Sequence, residues 1–170
     1  MKTRMNANRP DLRRAMIALG VGTGLAATGG LRAVHAQPAT STGPLTGELA
    51  AAVAAYTGGP MPRPGKVLLD VAQLVDNGNT VPMTVRVESA MTAADRVVAV
   101  AVFNERNPQR EVIKATLGPR AGKAQVATRI RLATSQKLVA VARLSDGSHW
   151  QQTVDVIVTL AACIEGDVPQ

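Results

Sequence analysis

The chain holds a single cysteine, Cys163, and its setting is the place to look for chemistry. A thiolate is a strong nucleophile and can carry a sulfur-bonded adduct. A lone cysteine has no partner for an internal disulfide. The residues before it, Gln151–Leu160, alternate: Val154, Val156, Val158 and Leu160 fall on one face, and Thr153, Asp155 and Thr159 on the other. Period-2 alternation of this kind predicts a half-buried strand. The strand is followed by Ala161-Ala162-Cys163 and a short tail to Gln170. A thiol just past the end of a rigid strand is well placed to be handed into another protein. The competing reading is a small buried hydrophobe, the usual state of a free cysteine.

Other constellations carry less. Asp146, Ser148 and His149 invite a hydrolase reading, but they sit within four residues on one predicted turn. Members of a catalytic triad converge from separate parts of a fold. One cysteine and, outside residues 1–36, one histidine are too few for a typical structural metal site, and no cofactor is expected. Gly118-Pro119-Arg120-Ala121-Gly122-Lys123 lacks the strand and helix that flank a phosphate loop. Tyr56, Phe103 and Trp150 are the only large aromatics, which leaves little to stack on bases. Arg129 and Arg131 form a basic outer stripe, read as a solvated face or a contact for an acidic partner.

The formal charge of the 170 residues is +7, but it is unevenly placed. Residues 1–36 hold six basic residues against Asp11, which leaves +5, while the rest has 13 Lys+Arg against 11 Asp+Glu, which leaves +2. This leader has a basic start ending in Arg13-Arg14, a glycine-rich apolar run Ala15–Ala27, and Val34-His35-Ala36 as a small-residue cleavage signal. The pattern is that of a secretory signal, since the run is too short for a membrane span. The arginine pair before a weakly hydrophobic core points to twin-arginine export. Leu12 and Met16 depart from the usual residues of that motif. The expectation is a periplasmic protein beginning near Gln37, with the high overall basicity belonging to the leader rather than to a nucleic-acid face.

The elements that must position Cys163 follow from pattern. Residues 37–45 are Pro/Thr/Ser-rich. Thr46–Tyr56 reads as a short helix, capped by Thr46 and stopped by Thr57-Gly58-Gly59-Pro60. From Lys66 the pattern changes to strands. Val67–Asp70 is apolar, and Val71–Val75 reads as its continuation toward a turn at Asp76-Asn77-Gly78-Asn79. In Thr80–Glu88, Val81, Met83, Val85 and Val87 share a face, and Pro82 argues for an edge position at that end. Val97–Phe103 is apolar on both faces, as a doubly covered central strand would be. Glu111–Leu117, Lys123–Leu132 and Lys137–Leu144 follow, and Ser145-Asp146-Gly147-Ser148 turns into the last strand. About seven short strands in this span predict an all-β, immunoglobulin-like antiparallel sandwich with a short N-terminal helix. The organisation that follows is an export signal over 1–36, an N-terminal extension over 37–65, the sandwich over 66–160 and a C-terminal arm over 161–170.

Tyr56-Thr57-Gly58-Gly59, Lys66-Val67-Leu68-Leu69-Asp70 and Val75-Asp76-Asn77-Gly78-Asn79-Thr80-Val81-Pro82-Met83-Thr84-Val85 resemble the SoxY family of sulfur carriers in thiosulfate oxidation. Asn107-Pro108 and Val154–Cys163 also sit where that family has counterparts. The resemblance implies an immunoglobulin-like carrier that performs no turnover itself. It implies a SoxZ-like partner subunit, a sulfur-oxidising c-type cytochrome and a sulfate-releasing hydrolase. It implies Cys163 as the covalent attachment point of the sulfur intermediate. The family cysteine lies among glycines, whereas here Ala161-Ala162 and Ile164-Glu165 flank it. These flanks make a stiffer arm, and Glu165 disfavours a nearby thiolate and repels anions. The alternative is a non-carrying binding or assembly subunit whose cysteine is buried or linked to a partner.

Overall fold

The computed structural model describes residues 40–41, 43–45 and 47–160. The leader, the expected cap Thr46 and the arm bearing Cys163 lie outside the described residues. One helix, α1 (Gly47–Thr57), precedes nine strands among the described residues: β1 (Arg63–Pro64), β2 (Val67–Val71), β3 (Leu74–Asn77), β4 (Val81–Val87), β5 (Val97–Asn104), β6 (Glu111–Thr116), β7 (Gln125–Ile130), β8 (Gln136–Leu144) and β9 (His149–Leu160). They form two sheets. The larger runs β1-β9-β8-β5-β6, with β3 also on β9, and the smaller runs β2-β4-β7.

The main ladders are antiparallel, as an immunoglobulin-like sandwich requires. Alternation sets the packing. In β4, Val81, Met83, Val85 and Val87 are buried against the other sheet, and Pro82 and Arg86 point out. Strand β4 is central, yet its pairing with β2 stops at Met83 while its pairing with β7 runs on to Val81. Pro82 therefore has a strand neighbour on one side only, which suits a residue that cannot donate.

Strand β5 is apolar on both faces because both are covered. Val100 and Val102 join the core between the sheets. Ala101 and Phe103 join Val139 and Val141 of β8 under Leu49 and Val53 of α1. The helix ends in a Schellman-type cap, in which the Gly59 N–H donates to the Ala54 carbonyl at 2.8 Å and Gly58 takes a φ of 79°. An L-side chain at Gly58 would be strained there.

Two expectations are corrected. Val71 ends β2, and Ala72–Val75 does not continue it. The chain turns at Ala72-Gln73, and Leu74–Asn77 crosses to the other sheet to pair in parallel with β9. Leu160 does not share the buried row of Val154 and Val156, because it is 66% exposed. The partner β8 begins at Gln136, opposite Val156, so the strand beyond Val156 has run past the end of β8.

Candidate functional site at the root of the C-terminal arm

Strand β9 is the longest of the described strands and the last before Cys163, so its far end fixes where the arm begins. On the side away from β8, that end is held by β3: Leu74 lies beside Ile157, Val75 beside Val158 and Asn77 beside Leu160. The Ile157 N–H donates to the Gln73 carbonyl at 2.7 Å, and the Gly78 N–H donates to the Leu160 carbonyl at 2.9 Å. The Thr159 hydroxyl donates to the Asp76 carbonyl at 3.0 Å. On the β8 side, the Val158 N–H donates to the Ser135 hydroxyl at 2.9 Å. The last residues of β9 are thus clamped from both sides.

The turn Asn77-Gly78-Asn79 makes the clamp possible. The Asn77 side chain accepts from the Asn79 N–H at 2.9 Å, the self-closing turn that asparagine favours. The Gly78 carbonyl accepts from the Leu132 N–H at 2.8 Å, which ties the same turn to the end of β7. One short loop therefore joins the arm root, the β3 edge and the smaller sheet. Around the root, Leu74, Ile157 and Leu160 are 62%, 58% and 66% exposed.

The other candidate residues do not converge here. Asp146, Ser148 and His149 sit at the opposite end of β9, at the β8–β9 turn. The Asp146 carboxylate accepts from both the N–H and the hydroxyl of Ser148, at 2.8 and 2.7 Å, and these bonds hold its pKa below the usual value. The Ser148 hydroxyl in turn accepts from the Trp150 indole at 3.1 Å. This is a hairpin turn closing on itself. His149 packs edge-on against Tyr56, and burial first, then the Arg143 charge, lowers its pKa. Burial pushes the Tyr56 phenol up. Among the described residues no group of three or more His, Cys, Asp or Glu is placed to hold a metal ion. Sequence reasoning places the turn at residues 76–79 but misses that it grips β9. Thr159 and Ser135 carry no local signal that reveals it.

Residues 53–163 match the family model described as sulfur oxidation protein SoxY. The chain belongs to the SoxY family. The match spans the sandwich and the turn at Asn77-Gly78, and its last residue is Cys163. Among solved structures, the sulfur carrier protein SoxY from Chlorobium limicola f thiosulfatophilum is 25% identical, with a TM-score of 0.56, over 66% of this chain and 96% of that one. Superoxide reductase (neelaredoxin) from Ignicoccus hospitalis aligns with a TM-score of 0.50 at 13% identity, over 55% of this chain and 80% of that one. The second likeness is of fold alone. A comparison with curated proteins gives no match. Membership in the SoxY family fixes the coarse role, a carrier subunit of sulfur oxidation that works with other Sox components.

Proposed function

We propose that the protein carries a thiosulfate-derived intermediate covalently on Cys163 in the periplasm and presents it to partner enzymes. The observation that carries this reading is the family match, which extends through the sandwich and ends on the chain's sole cysteine. The clamped end of β9 supports it. Cys163 follows Leu160 by three residues, so the covalent chain keeps its Cα within about 11 Å of a fixed point on the sandwich. A carrier needs such an anchor so that a partner bound to the body finds the thiol within reach.

The loading step joins the Cys163 sulfur to the sulfane sulfur of thiosulfate. The thiol loses its proton, a sulfur–sulfur bond forms, and two electrons pass to a c-type cytochrome partner. The product is a cysteine S-thiosulfonate. Water then cleaves the bond between the sulfane sulfur and the sulfonate group on a hydrolase partner, releasing sulfate and a proton and leaving a persulfide. The carrier supplies the attachment atom and its placement, and the partners supply oxidation and hydrolysis. A SoxZ-like subunit completes the carrier in this reading. The Arg13-Arg14 leader supports export of the folded chain by the twin-arginine route.

Intact-mass analysis of protein from thiosulfate-grown native cells tests the assignment. The expected result is adducts on Cys163 alone, absent from Cys163→Ala, in the periplasmic fraction. Arg13→Lys with Arg14→Lys should leave the precursor in the cytoplasm. Unmodified, alkylation-resistant Cys163 throughout growth would overturn carriage. The flanks Ala161-Ala162 and Ile164-Glu165 favour a second reading, a non-carrying assembly subunit. A disulfide through Cys163 to another chain as the main species, without any adduct, would support that instead.

A further inference from the structure

From Val112 to Ser145 the chain contains no aspartate or glutamate, yet it contains Lys114, Arg120, Lys123, Arg129, Arg131, Lys137 and Arg143. The fold gathers four of these on one side. Strand β7 is an outer strand of the smaller sheet, and its exposed row continues the alternation Lys123, Gln125, Ala127, Arg129, Arg131. Arg120 lies in the connection from β6, the outer strand of the larger sheet, so the same side of the sandwich carries all four. All four cations are exposed, and none takes part in an ion pair among the described residues. By contrast Arg86, on neighbouring β4, is held by Asp70 at 3.1 Å.

We infer that this β7 edge is a docking surface for a protein partner that presents an acidic strip. Like charges on one strand face that find no counter-charge among the described residues are unfavourable there. They become favourable when opposite charge is brought to them, and they speed the encounter. Gln125 and Ala127 stand between the cations, so an extended acidic segment can lie along the row. No aromatic side chain stands in this row, and Asp70 lies on the same outer face two strands away. Both features disfavour a nucleic-acid backbone. In the larger sheet, β6 and β9 are separated by β5 and β8, so Lys123 at the start of the row lies across the sandwich from β9, whereas Arg131 at its end adjoins Leu132, whose N–H holds the turn that grips Leu160. The inference rests on charge placement and stands whether or not Cys163 carries sulfur.

The test replaces Ala127, at the middle of the row, with a photoreactive benzoylphenylalanine in the full chain expressed in its native host. Irradiation followed by mass spectrometry should give a cross-link to one protein through a peptide rich in Asp and Glu. Arg129→Glu with Arg131→Glu should reduce the cross-link roughly tenfold, as loss of steering and complementarity predicts. Arg129→Gln with Arg131→Gln should reduce it less. Arg63→Glu, on β1 at the other edge, should leave it unchanged. Thermal melts of each variant separate lost docking from lost folding. No cross-link, a cross-link to a second copy of this chain, a neutral or basic peptide, a nucleic acid or polysaccharide adduct, or full yield in the folded double-Glu variant would overturn the inference.

Discussion

The two sides of the sandwich are closed by different means. At the β9 edge, three short pieces of chain supply backbone partners. Arg63–Pro64 lies beside Trp150–Gln151, Thr40 bridges to Val154, and Leu74–Asn77 runs along Ile157–Leu160. At the other side, β6 and β7 are the last strands of their sheets, and the second carries a row of cations that form no ion pair among the described residues. Pairing and charge are both known ways to blunt a sheet edge. The difference is what each permits. A paired edge is rigid, which suits the strand that sets the arm's starting point. A charged edge disfavours docking of an uncharged strand, which would strip water from the cations, yet stays open to a complementary partner. Sealing belongs where geometry must be fixed, and charge where another protein is to be met.

The comparison breaks most readily at the loop that connects the two sides. Leu132 is fully buried at the end of β7, and its N–H holds the Gly78 carbonyl of the turn that grips β9. Leu132→Ala should cost about 2–5 kcal/mol in chemical denaturation, the range for emptying a buried leucine site. Arg131→Gln, one residue away on the charged face, should stay within about 0.5 kcal/mol. Equal losses in the two variants would show that the charged row is structural.

A smaller effect sharpens the account of the sealed side. The Gln152 side chain links three pieces: its Oε1 accepts from the Leu69 N–H at 2.5 Å and its Nε2 donates to the Thr40 hydroxyl at 2.9 Å. Gln152→Leu would leave a buried N–H in β2 without its acceptor. The expected loss is about 1–3 kcal/mol, the cost of an unsatisfied buried donor. Hydrogen exchange at Leu69 should accelerate in the variant more than exchange in β5. Unchanged exchange at Leu69 would mean that the bond contributes nothing.

Much of this contrast is legible in the amino-acid pattern. The clean alternation of Val81, Met83, Val85 and Val87 and the two-sided apolar run of β5 locate the core strands. The charged row is visible at Arg129 and Arg131. The sealing pieces are not. Arg63–Pro64 is two residues long and Leu74–Asn77 four, too short to show a period. Their parallel pairing with β9 is set by topology rather than by local propensity. Leu160 resembles a core residue in sequence because alternation says nothing about where the neighbouring strand stops. For the candidate site, the turn at Asn77-Gly78 is readable from its residue types, whereas its grip on Leu160 is a contact between residues more than eighty positions apart.

The smallest effect concerns the ion pair beside the sealed edge. Lys137 of β8 donates to Asp155 of β9 at 2.7 Å and to the Ser41 hydroxyl at 3.0 Å, so one ammonium joins the main ladder to the outer segment. The Lys137 hydrogen bond is the main reason that the Asp155 carboxyl titrates below its usual value of 3.8. A folded-state pKa below the unfolded one means that the unfolded chain binds the proton more readily. The stabilisation is therefore present above about pH 4 and fades as pH falls through the lowered value. The Asp155 side chain is 56% exposed, so solvent screens the pair and its worth is below about 1 kcal/mol. Asp155→Asn should be slightly less stable than the parent at pH 7, and the gap should close in acid and in high salt. The other edge offers the control. Arg110 and Glu48 pair on the surface with Glu48 still more exposed at 76%, and Glu48→Gln does not touch the β9 edge. If Glu48→Gln loosens protection at Ser41 as much as Asp155→Asn does, the sealed side is not held by its own contacts, and the distinction between the two edges fails.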